Sequence, residues 1–438
     1  MEKSSKTQKL EAIVAGHFPD LRHFLETYKD IHHNPELGTH EKRTSTIAYG
    51  HLKELGFETY EKIGAILKNG AGNTVLLRAD MDALPILEKT GLPYESRKVF
   101  TDRDGKETPI MHACGHDMNV TNLMATATLL SQARSEWSGT LICIFQPNEE
   151  NGAGAMAMIQ DGLYDRIPTP DFCLAQHCDY RRSGNLAIRS GPCESAADSF
   201  LVTIHGHAGH ASKPESCIDP IVIAAYVIVR LQTIVSRVVP PQETVVVTCG
   251  SIHGGDAHNN IPPSVQLKIN IRTYNDDLRT KVPASMQRII EAECDAAGAP
   301  QKPEIKRTHE YPLTDNDAKI STGLRSLFEQ SFGKDHVEVM EQLAGSEDFP
   351  NLALPNKTPY VIWFQGATAV ESYDEAAEKG EIDQLLQIQS DGFAPSADST
   401  MRTGVRAFSL AALYYLISNE VANRASSTSK YKALIPSY

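Results

Sequence analysis

The sequence predicts an α/β protein that carries an inserted α+β domain, and three observations lead to this fold class. The mean hydropathy of -0.31 is ordinary for a globular protein, and the length of 438 residues is sufficient for two hydrophobic cores. Apolar strand-like runs alternate with helical patterns up to about residue 190 and again after about residue 310. The residues between them follow a different order. We therefore predict one discontinuous domain, 1–190 with 311–438, interrupted by a second domain at 191–310.

The first domain is predicted from apolar periodicity and from runs rich in β-branched residues. Its predicted elements are, in order, helices over 8–29 and 40–56, a strand over 75–80, a helix over 120–132, a strand over 139–145, a helix over 152–162 and a strand over 172–175. Polar residues follow these strands. In α/β proteins ligands bind at the carboxyl ends of the strands, so the functional site is expected there.

The inserted domain is predicted as strands and helices in mixed order. Its elements are a strand over 200–206, a helix over 220–238, strands over 243–252 and 265–272, and a helix over 281–297. After residue 310 the pattern returns to mixed α/β and ends in a helix over 404–421, and the last segment, 430–438, is expected to be loosely held.

Composition excludes several classes of partner. The net charge is -13, the pI is about 5.7, and no run is rich in Lys or Arg, so nucleic acids and anionic membranes are poor candidate partners. No window approaches 18 uncharged apolar residues, and the first residues are polar, which favours a cytoplasmic protein without a signal peptide or a membrane span. The eight cysteines contain no CxxC pair and indicate reduced thiols.

Cys114 and His116 are the strongest candidates for a metal site. Two residues apart in an extended loop, both side chains could point in the same direction. Thiolate and imidazole ligands suit zinc or another late first-row divalent ion and not Mg²⁺ or Ca²⁺. The sequence leaves open whether the ion is zinc, manganese, cobalt or nickel. The alternative is a buried cysteine beside an unrelated histidine.

Glu149, Glu150 and His177 each follow or end a strand-like run and could join the same site. Side chains of consecutive residues diverge, so one carboxylate could bind metal while the other faces a reacting water. A solvated acidic turn and a core histidine are the alternatives. Asp80 and Asp82 follow the first strand, where one of them could orient a ligating imidazole, or either could cap a turn.

The inserted domain contains a second group of histidines, His205, His207 and His210, with Asn260 further along the chain. Strand alternation distributes the three histidines over two faces, which disfavours a second metal site. Contact with the substrate is the favoured role for one of them.

Motifs in a fixed order run along nearly the whole chain. They are HHNPEL at 32–37, RADMDALP at 78–85, MHACGHD at 111–117, FQPNEE at 145–150, GHA at 209–211, NIP at 260–262, GSEDF at 345–349 and TGV at 403–405. In these motifs the chain resembles the M20 family of metallopeptidases and aminoacylases. It is most similar to the branch of hippurate hydrolases, N-acyl-amino-acid amidohydrolases and auxin-conjugate hydrolases.

The resemblance implies a zinc-exopeptidase-like catalytic domain, an inserted lid or dimerisation domain, and a homodimer. It implies one or two divalent ions per subunit and a small acyl-amino-acid-like substrate. The implied ligands are Cys114, as the bridging ligand, with His116, Glu150 and His177. Glu149 would be the general base, His210, often presented by the partner subunit in the family, would polarise the scissile carbonyl, and Asn260 would hold the substrate.

The sequence departs from the family pattern at one metal ligand. The last ligand is a histidine in the family, but here Gln389 stands at that place, and the last histidine of the chain is His336. Gln389 offers only a neutral amide oxygen. Asn119 and Glu215 also stand where the family has histidine.

Three functional interpretations follow. The favoured one is a metal-dependent hydrolase of the amide bond of an N-acyl amino acid or a similar conjugate. The second is a repurposed relative with a depleted metal site that performs acyl transfer or amide formation in a specialised pathway. The third, a binding or regulatory protein, is disfavoured because both Glu149 and Glu150 are retained.

Overall fold

The computed structural model describes residues 3–60 and 64–417. Its helices are α1 (Ser5–His17), α2 (Arg22–His33), α3 (Lys42–Glu54), α4 (His116–Gln132), α5 (Gly154–Gln160), α6 (Leu163–Arg166), α7 (Pro220–Thr233), α8 (Asp276–Ala296), α9 (Ala318–Phe332), α10 (Val370–Lys379) and α11 (Ala397–Leu416). Its strands are β1 (Glu58–Tyr60), β2 (Gly64–Asn69), β3 (Thr74–Asp80), β4 (Val99–Thr101), β5 (Glu107–Pro109), β6 (Gly139–Gln146), β7 (Phe172–Arg182), β8 (Leu186–Ile188), β9 (Gly191–Glu194), β10 (Ala196–His205), β11 (Gly209–His210), β12 (Val245–His253), β13 (Asn260–Ile261), β14 (Ser264–Thr273), β15 (Glu304–Tyr311), β16 (Thr314–Asn316), β17 (Val337–Val339) and β18 (Tyr360–Thr368).

The larger sheet has eight strands in the order β1-β2-β6-β3-β7-β18-β8-β17. Its central strands β6, β3, β7 and β18 run parallel. One hydrophobic core lies between this sheet and helices α1 to α4, α9 and α11, and a second core lies on the opposite face under α5 and α6. Because helices cover both faces of this sheet, side chains on both sides of β3 are buried, and the strand is an almost continuous apolar run in which Leu76 and Leu77 are fully buried.

The smaller sheet has four antiparallel strands in the order β12-β14-β10-β15 and has its own core with α7 and α8. Alternation along β14 buries Leu267, Ile269 and Ile271 against that core and turns Asn270 and Arg272 to the other face. The two segments that connect the sheets, β9 and β16, pair with each other. This architecture confirms the predicted fold class, an α/β domain with an inserted α+β domain; the exact limits at 191 and 310 stay a prediction.

Helix α7 and the π-helical turn that follows it form the one helix, in the described part of the chain, with the length and hydropathy to cross a membrane. The segment Pro220–Val238 has 19 residues, a hydropathy of 1.7, and a window that is 28% buried. Its buried side chains, including Ile223, Val227 and Leu231, pack into the core of the smaller sheet. The mostly buried core helix of a soluble protein passes the same measure, so one such helix is weak evidence for a membrane span.

Several predicted elements have different limits. The predicted helix at 8–29 is two helices, because Pro19 disfavours the helical conformation of Phe18, which is extended with a ψ of 121°. Helix α4 begins at His116 instead of 120, and β7 continues to Arg182 instead of ending at 175. The final helix begins at Ala397, and the predicted end at 421 and the tail at 430–438 lie outside the described residues.

Candidate metal centre

The candidate site lies where β3 and β6 end in the centre of the larger sheet. Residues Asp80 and Gln146 close these two strands and are paired in register. Strand β7 continues past this level, so His177 lies inside a strand and pairs with Phe364 of β18. The prediction that His177 ends a strand was wrong, because hydrogen bonding to β18 extends β7 beyond the ends of its other neighbours.

Cys114 and His116 reach the site from a turn, not from the predicted extended loop. Gly115 between them has a φ of 78°, and His116 is the first residue of α4. A Cβ at Gly115 would lie 2.9 Å from Cβ of Cys178, so a larger residue would meet this neighbour as well as the strained φ. The left-handed glycine therefore turns the chain so that both side chains face one point.

The ligand atoms of Cys114, His116 and His177 lie within 4.8 Å of one another. The distance from Cys114 Sγ to His177 Nε2 is 3.7 Å, and the two imidazole rings are 5.3 Å apart at 88°. Both nitrogens of His116 and Oε1 of Glu150 are buried without a hydrogen-bond partner among the described residues. Buried polar atoms rarely lack partners, so these orphaned atoms and the thiol fit a late first-row divalent ion.

Glu150 and Gln389 form one side of the site. Oε1 of Glu150 lies 3.9 Å from Nε2 of His116, and Oε2 accepts a hydrogen bond of 2.9 Å from the side-chain amide of Gln389. The backbone of Gln389 has a φ of 66° and donates to the carbonyl of Ala113 at 2.7 Å. The structure thus brings Gln389 to the cluster, but its amide nitrogen, not its oxygen, faces Glu150. To ligate an ion, the amide would have to turn.

Glu149 lies beside His116 and Glu150, with ligand atoms within 4.8 Å of one another, and is 7% exposed. Its carboxylate groups with those of Glu347 and Asp348, with ligand atoms within 4.8 Å of one another. Burial, followed by the negative charges of Glu347 and Glu150, raises the pKa of Glu149 well above its ordinary value. A bound cation would act in the opposite direction on this pKa. A buried carboxylate with a strongly perturbed pKa beside a cavity is typical of a functional site.

Asp82 and Asp80 both contact the imidazoles, in different ways. Oδ1 of Asp82 lies 3.3 Å from Nδ1 of His116, close enough to orient the ring although the angle is not that of a hydrogen bond. Oδ2 of Asp80 lies 3.8 Å from Nε2 of His116 and 3.9 Å from Nε2 of His177. Its other oxygen accepts a bond of 2.8 Å from Asn119, the residue that stands in place of a family histidine.

A buried arginine was missed by the sequence interpretation. Arg78 is fully buried and donates to Asp80 at 2.6 Å and to both oxygens of Glu347 at 2.7 and 3.0 Å. Nε of Arg78 donates to Gln146 at 2.9 Å. The arginine therefore connects the acidic residues behind the site. The signal was present in the RADMDALP and GSEDF motifs, but nothing in the sequence showed that they meet.

The cluster opens into a cavity of about 530 Å³ between the two sheets. Its floor contains Cys114, Glu149, Glu150, His177 and Gln389, beside an apolar wall of Leu84, Ile362, Phe364 and Ile388. Its roof comes from the smaller sheet and contains Ala197, Ser199, Asn270, Arg272, His309 and Tyr311. Glu194, Gly345, Ser346 and Glu347 line the side where the chain crosses between the sheets.

His210 and Asn260 are not brought to this cavity by the described chain. They pair with each other in the small β11–β13 ribbon and both are exposed. Nδ1 of His210 accepts from the backbone N–H of Ser212 at 3.1 Å. Nε2 of His205 lies 3.2 Å from Glu304. In residues 3–60 and 64–417, no group of metal-ligating atoms includes His205, His207 or His210. The roles predicted for His210, Asn260 and the ligand residues stay predictions.

Comparison with known proteins identifies the family. The sequence profile of peptidase family M20/M25/M40 matches residues 76–390. The chain belongs to the M20 family. It is 35% identical to hippurate hydrolase of Campylobacter jejuni over 80% of this chain and 88% of that protein. It is 32% identical to N-acetylcysteine deacetylase of Bacillus subtilis over 86% of this chain and 96% of that protein.

A solved structure supports the same assignment. The YXEP protein of Bacillus subtilis, described as a dinuclear metal-binding peptidase of the M20 family, has a TM-score of 0.69 and 26% identity, covering 92% of this chain and 99% of that one. Membership in the M20 family confirms the predicted family and enzyme class. The protein is a metal-dependent hydrolase of amide bonds, and its cofactor is a divalent metal ion.

Proposed function

We propose that this M20 protein hydrolyses the amide bond of N-acyl amino acids that have a free carboxylate. The observation that carries the proposal is the placement of Glu149 beside the Cys114–His116–His177 cluster, at the floor of a cavity whose roof carries Arg272. Relatives of the chain are named for hydrolysis of hippurate and of N-acyl-L-amino acids. The test is hydrolysis of N-benzoylglycine and N-acetyl amino acids by the purified protein, and its loss in Glu149→Gln.

Arg272 is the residue that indicates a substrate with a free carboxylate. Its Nε donates to Asn270 at 3.1 Å, and its Nη1 bonds to the carbonyl of Ala344 and to Ser346. Among the described residues it makes no ion pair with a carboxylate within 4.0 Å. A guanidinium at the roof without an acidic partner is suited to a substrate carboxylate, while the apolar wall is suited to the acyl group.

The chain's own residues supply the proton transfer. When bound, the divalent ion supplies Lewis-acid activation of the carbonyl and of water. Glu149 takes a proton from the attacking water and returns it to the leaving nitrogen, and its burial raises its pKa above the ordinary value, which favours proton uptake. Asp82 holds the ring of His116, and Arg78 fixes Asp80 and Glu347 behind the site.

For the metal, we infer one tightly bound ion at Cys114, His116 and His177 and a weaker second position at Glu150 and Gln389. The first group offers a thiol and imidazoles, whereas Gln389 offers a neutral amide that already bonds to Glu150. Loss of a supporting group alone costs about 10–100-fold in metal affinity, and a replaced ligand is expected to cost at least that.

The substitution Gln389→His should strengthen the second position by about 10–100-fold. Elemental analysis after dialysis, together with calorimetric titration, should show stoichiometry rising from one ion per chain toward two. The matched control is Gln387→His, two residues away and exposed. Two tightly bound ions in the wild-type protein would contradict the inference.

We also infer a homodimer that forms through the inserted domain. The outer face of α7 exposes Val222, Tyr226 and Val229, with exposed fractions of 50%, 63% and 70%. The edge strand β12 also exposes Ile252, which pairs with the core-facing Leu267 and so lies on the same face of the sheet as α7. Patches of this kind mark interfaces in proteins of low overall hydropathy. Sedimentation velocity should give twice the chain mass, and Val229→Glu should give the monomer; a wild-type monomer would refute the inference.

A further inference from the structure

Glu194 is an acidic residue of the cavity to which the proposed chemistry assigns no role. It ends β9, where the chain enters the inserted domain, and it lines the cavity near Glu347 and Arg272. Only 7% of the residue is exposed, and its Oε2 is buried without a hydrogen-bond partner. Within the described part of the chain, neither of its oxygens accepts a hydrogen bond or makes an ion pair.

The surrounding backbone holds this carboxyl group in place. The residues on both sides of Glu194 are bonded to the segment before Glu347, through Leu343 N–H to Cys193 O and Ser195 N–H to Gly345 O, both at 2.8 Å. A Cβ at Gly345 would lie 3.0 Å from Oε1 of Glu194. Glycine at 345 therefore leaves the space that the carboxyl group occupies, and the group has little freedom to turn away.

No positively charged residue of the cavity forms an ion pair with the carboxyl group of Glu194 in the described part of the chain. Four glutamates line the cavity: Glu149, Glu150, Glu194 and Glu347. Glu347 is neutralised by its two bonds to Arg78, and Glu150 would be neutralised by the ion. Glu149 must remain available as the base. Arg272 lowers the pKa of Glu194 but lies too far away to form an ion pair with it.

This arrangement changes the pKa of the Glu194 carboxyl group. Burial and the neighbouring charge of Glu347 raise the pKa of Glu194 to about 8, although Arg78 and Arg272 act to lower it. A buried carboxyl group without partners is unfavourable in the empty cavity, and a positively charged hydrogen-bond donor on a ligand would remove the penalty.

We propose that Glu194 is a specificity-determining residue that selects substrates carrying a positively charged nitrogen. The inference rests on the proposed amide hydrolysis and narrows its substrate class to N-acyl amino acids or dipeptides with an ammonium or guanidinium group. The carboxyl group of Glu194 accepts hydrogen bonds from that nitrogen inside the cavity, where water does not screen the interaction.

Two matched substrate pairs test the proposal with the metal-loaded enzyme. The first pair, N-benzoyl-lysine and N-benzoyl-norleucine, varies the amino-acid half; the second, glycyl-phenylalanine and propionyl-phenylalanine, varies the acyl half. In at least one pair, kcat/KM of the cationic member should exceed that of the neutral member by about 10-fold or more. Glu194→Gln should reduce this ratio by about 10-fold, whereas Glu304→Gln, an exposed glutamate of the same domain, should leave the ratio unchanged.

A second measurement separates selection from a structural role. Glu194→Met removes the unpaired acid and should raise Tm of the substrate-free protein by about 1–3 °C while abolishing the preference. A fall in Tm, or equal use of neutral and cationic members by the wild-type enzyme, would overturn the proposal and leave amide hydrolysis intact. If no member is cleaved in a manner that depends on Glu149, the proposed function itself fails, and this inference with it.

Discussion

Replacement of Glu149 by glutamine is expected to lower kcat by about 10²–10⁴-fold while the metal content stays at the wild-type level. Glutamine has nearly the same size and can still hydrogen-bond, but it cannot take up a proton. Glu149 groups with Glu347 and Asp348 as well as with His116 and Glu150, but the proposed tightly bound ion is held by Cys114, His116 and His177. Replacement of Glu149 should therefore not remove a ligand of that ion. The kcat for hydrolysis of N-benzoylglycine is measured from the rate of glycine release, and the metal content is measured by elemental analysis.

Glu150→Gln is the matched control for this experiment. Glu150 is the adjacent glutamate, and its Oε1 faces His116 at 3.9 Å. Its replacement is expected to weaken metal binding at the second position, measured by calorimetric titration, and to lower activity with it. Turnover that survives Glu149→Gln at more than a tenth of the wild-type rate would remove the proposed base.

Replacement of Arg272 by methionine is expected to lower kcat/KM for N-acyl amino acids by about 30-fold or more, since truncating one partner of a buried charged pair costs about 2–5 kcal/mol. The effect should be absent with the methyl esters of the same substrates, because an ester has no charge for the guanidinium to bind. The ratio of kcat/KM between acid and ester, measured for wild type and variant, isolates this interaction from any general damage to the roof.

Arg307→Met serves as the control for the roof substitution. Arg307 lies on β15 of the same sheet, with β10 between it and the strand of Arg272, and it already pairs with Asp198 at 3.6 Å and Glu310 at 3.2 Å. It should change the acid-to-ester ratio little. If the wild-type enzyme cleaves the amide bond of the methyl esters as efficiently as that of the free acids, the assignment of Arg272 as the residue that binds the carboxylate is contradicted.

The sequence was sufficient to predict the family, the fold class and the residues that cluster at the floor of the cavity. Cys114, His116 and Glu150 could be singled out because thiol, imidazole and carboxylate groups near strand ends are a chemical signature that depends little on detailed geometry. Local conformation was harder to predict. The turn at Gly115 and the continuation of β7 past His177 are imposed by packing against Cys178 and pairing with β18, which are distant in sequence.

Long-range contacts account for the residues that were missed. Arg78 and Glu347 are 269 positions apart, and only the folded chain shows that they bond. Glu194 and Arg272 carry no motif of their own, and their importance comes from the cavity that they share. His210 and Asn260 were singled out by resemblance, and within the described chain they remain on an exposed ribbon away from the cluster.

The floor and the roof of the cavity belong to sheets with separate hydrophobic cores, and this separation has a consequence for evolution. Substitutions in the smaller sheet can alter which compounds are recognised without disturbing the residues that perform catalysis. Substrate preference can therefore change during evolution through a few substitutions in the smaller sheet, while the catalytic residues on the larger sheet are retained.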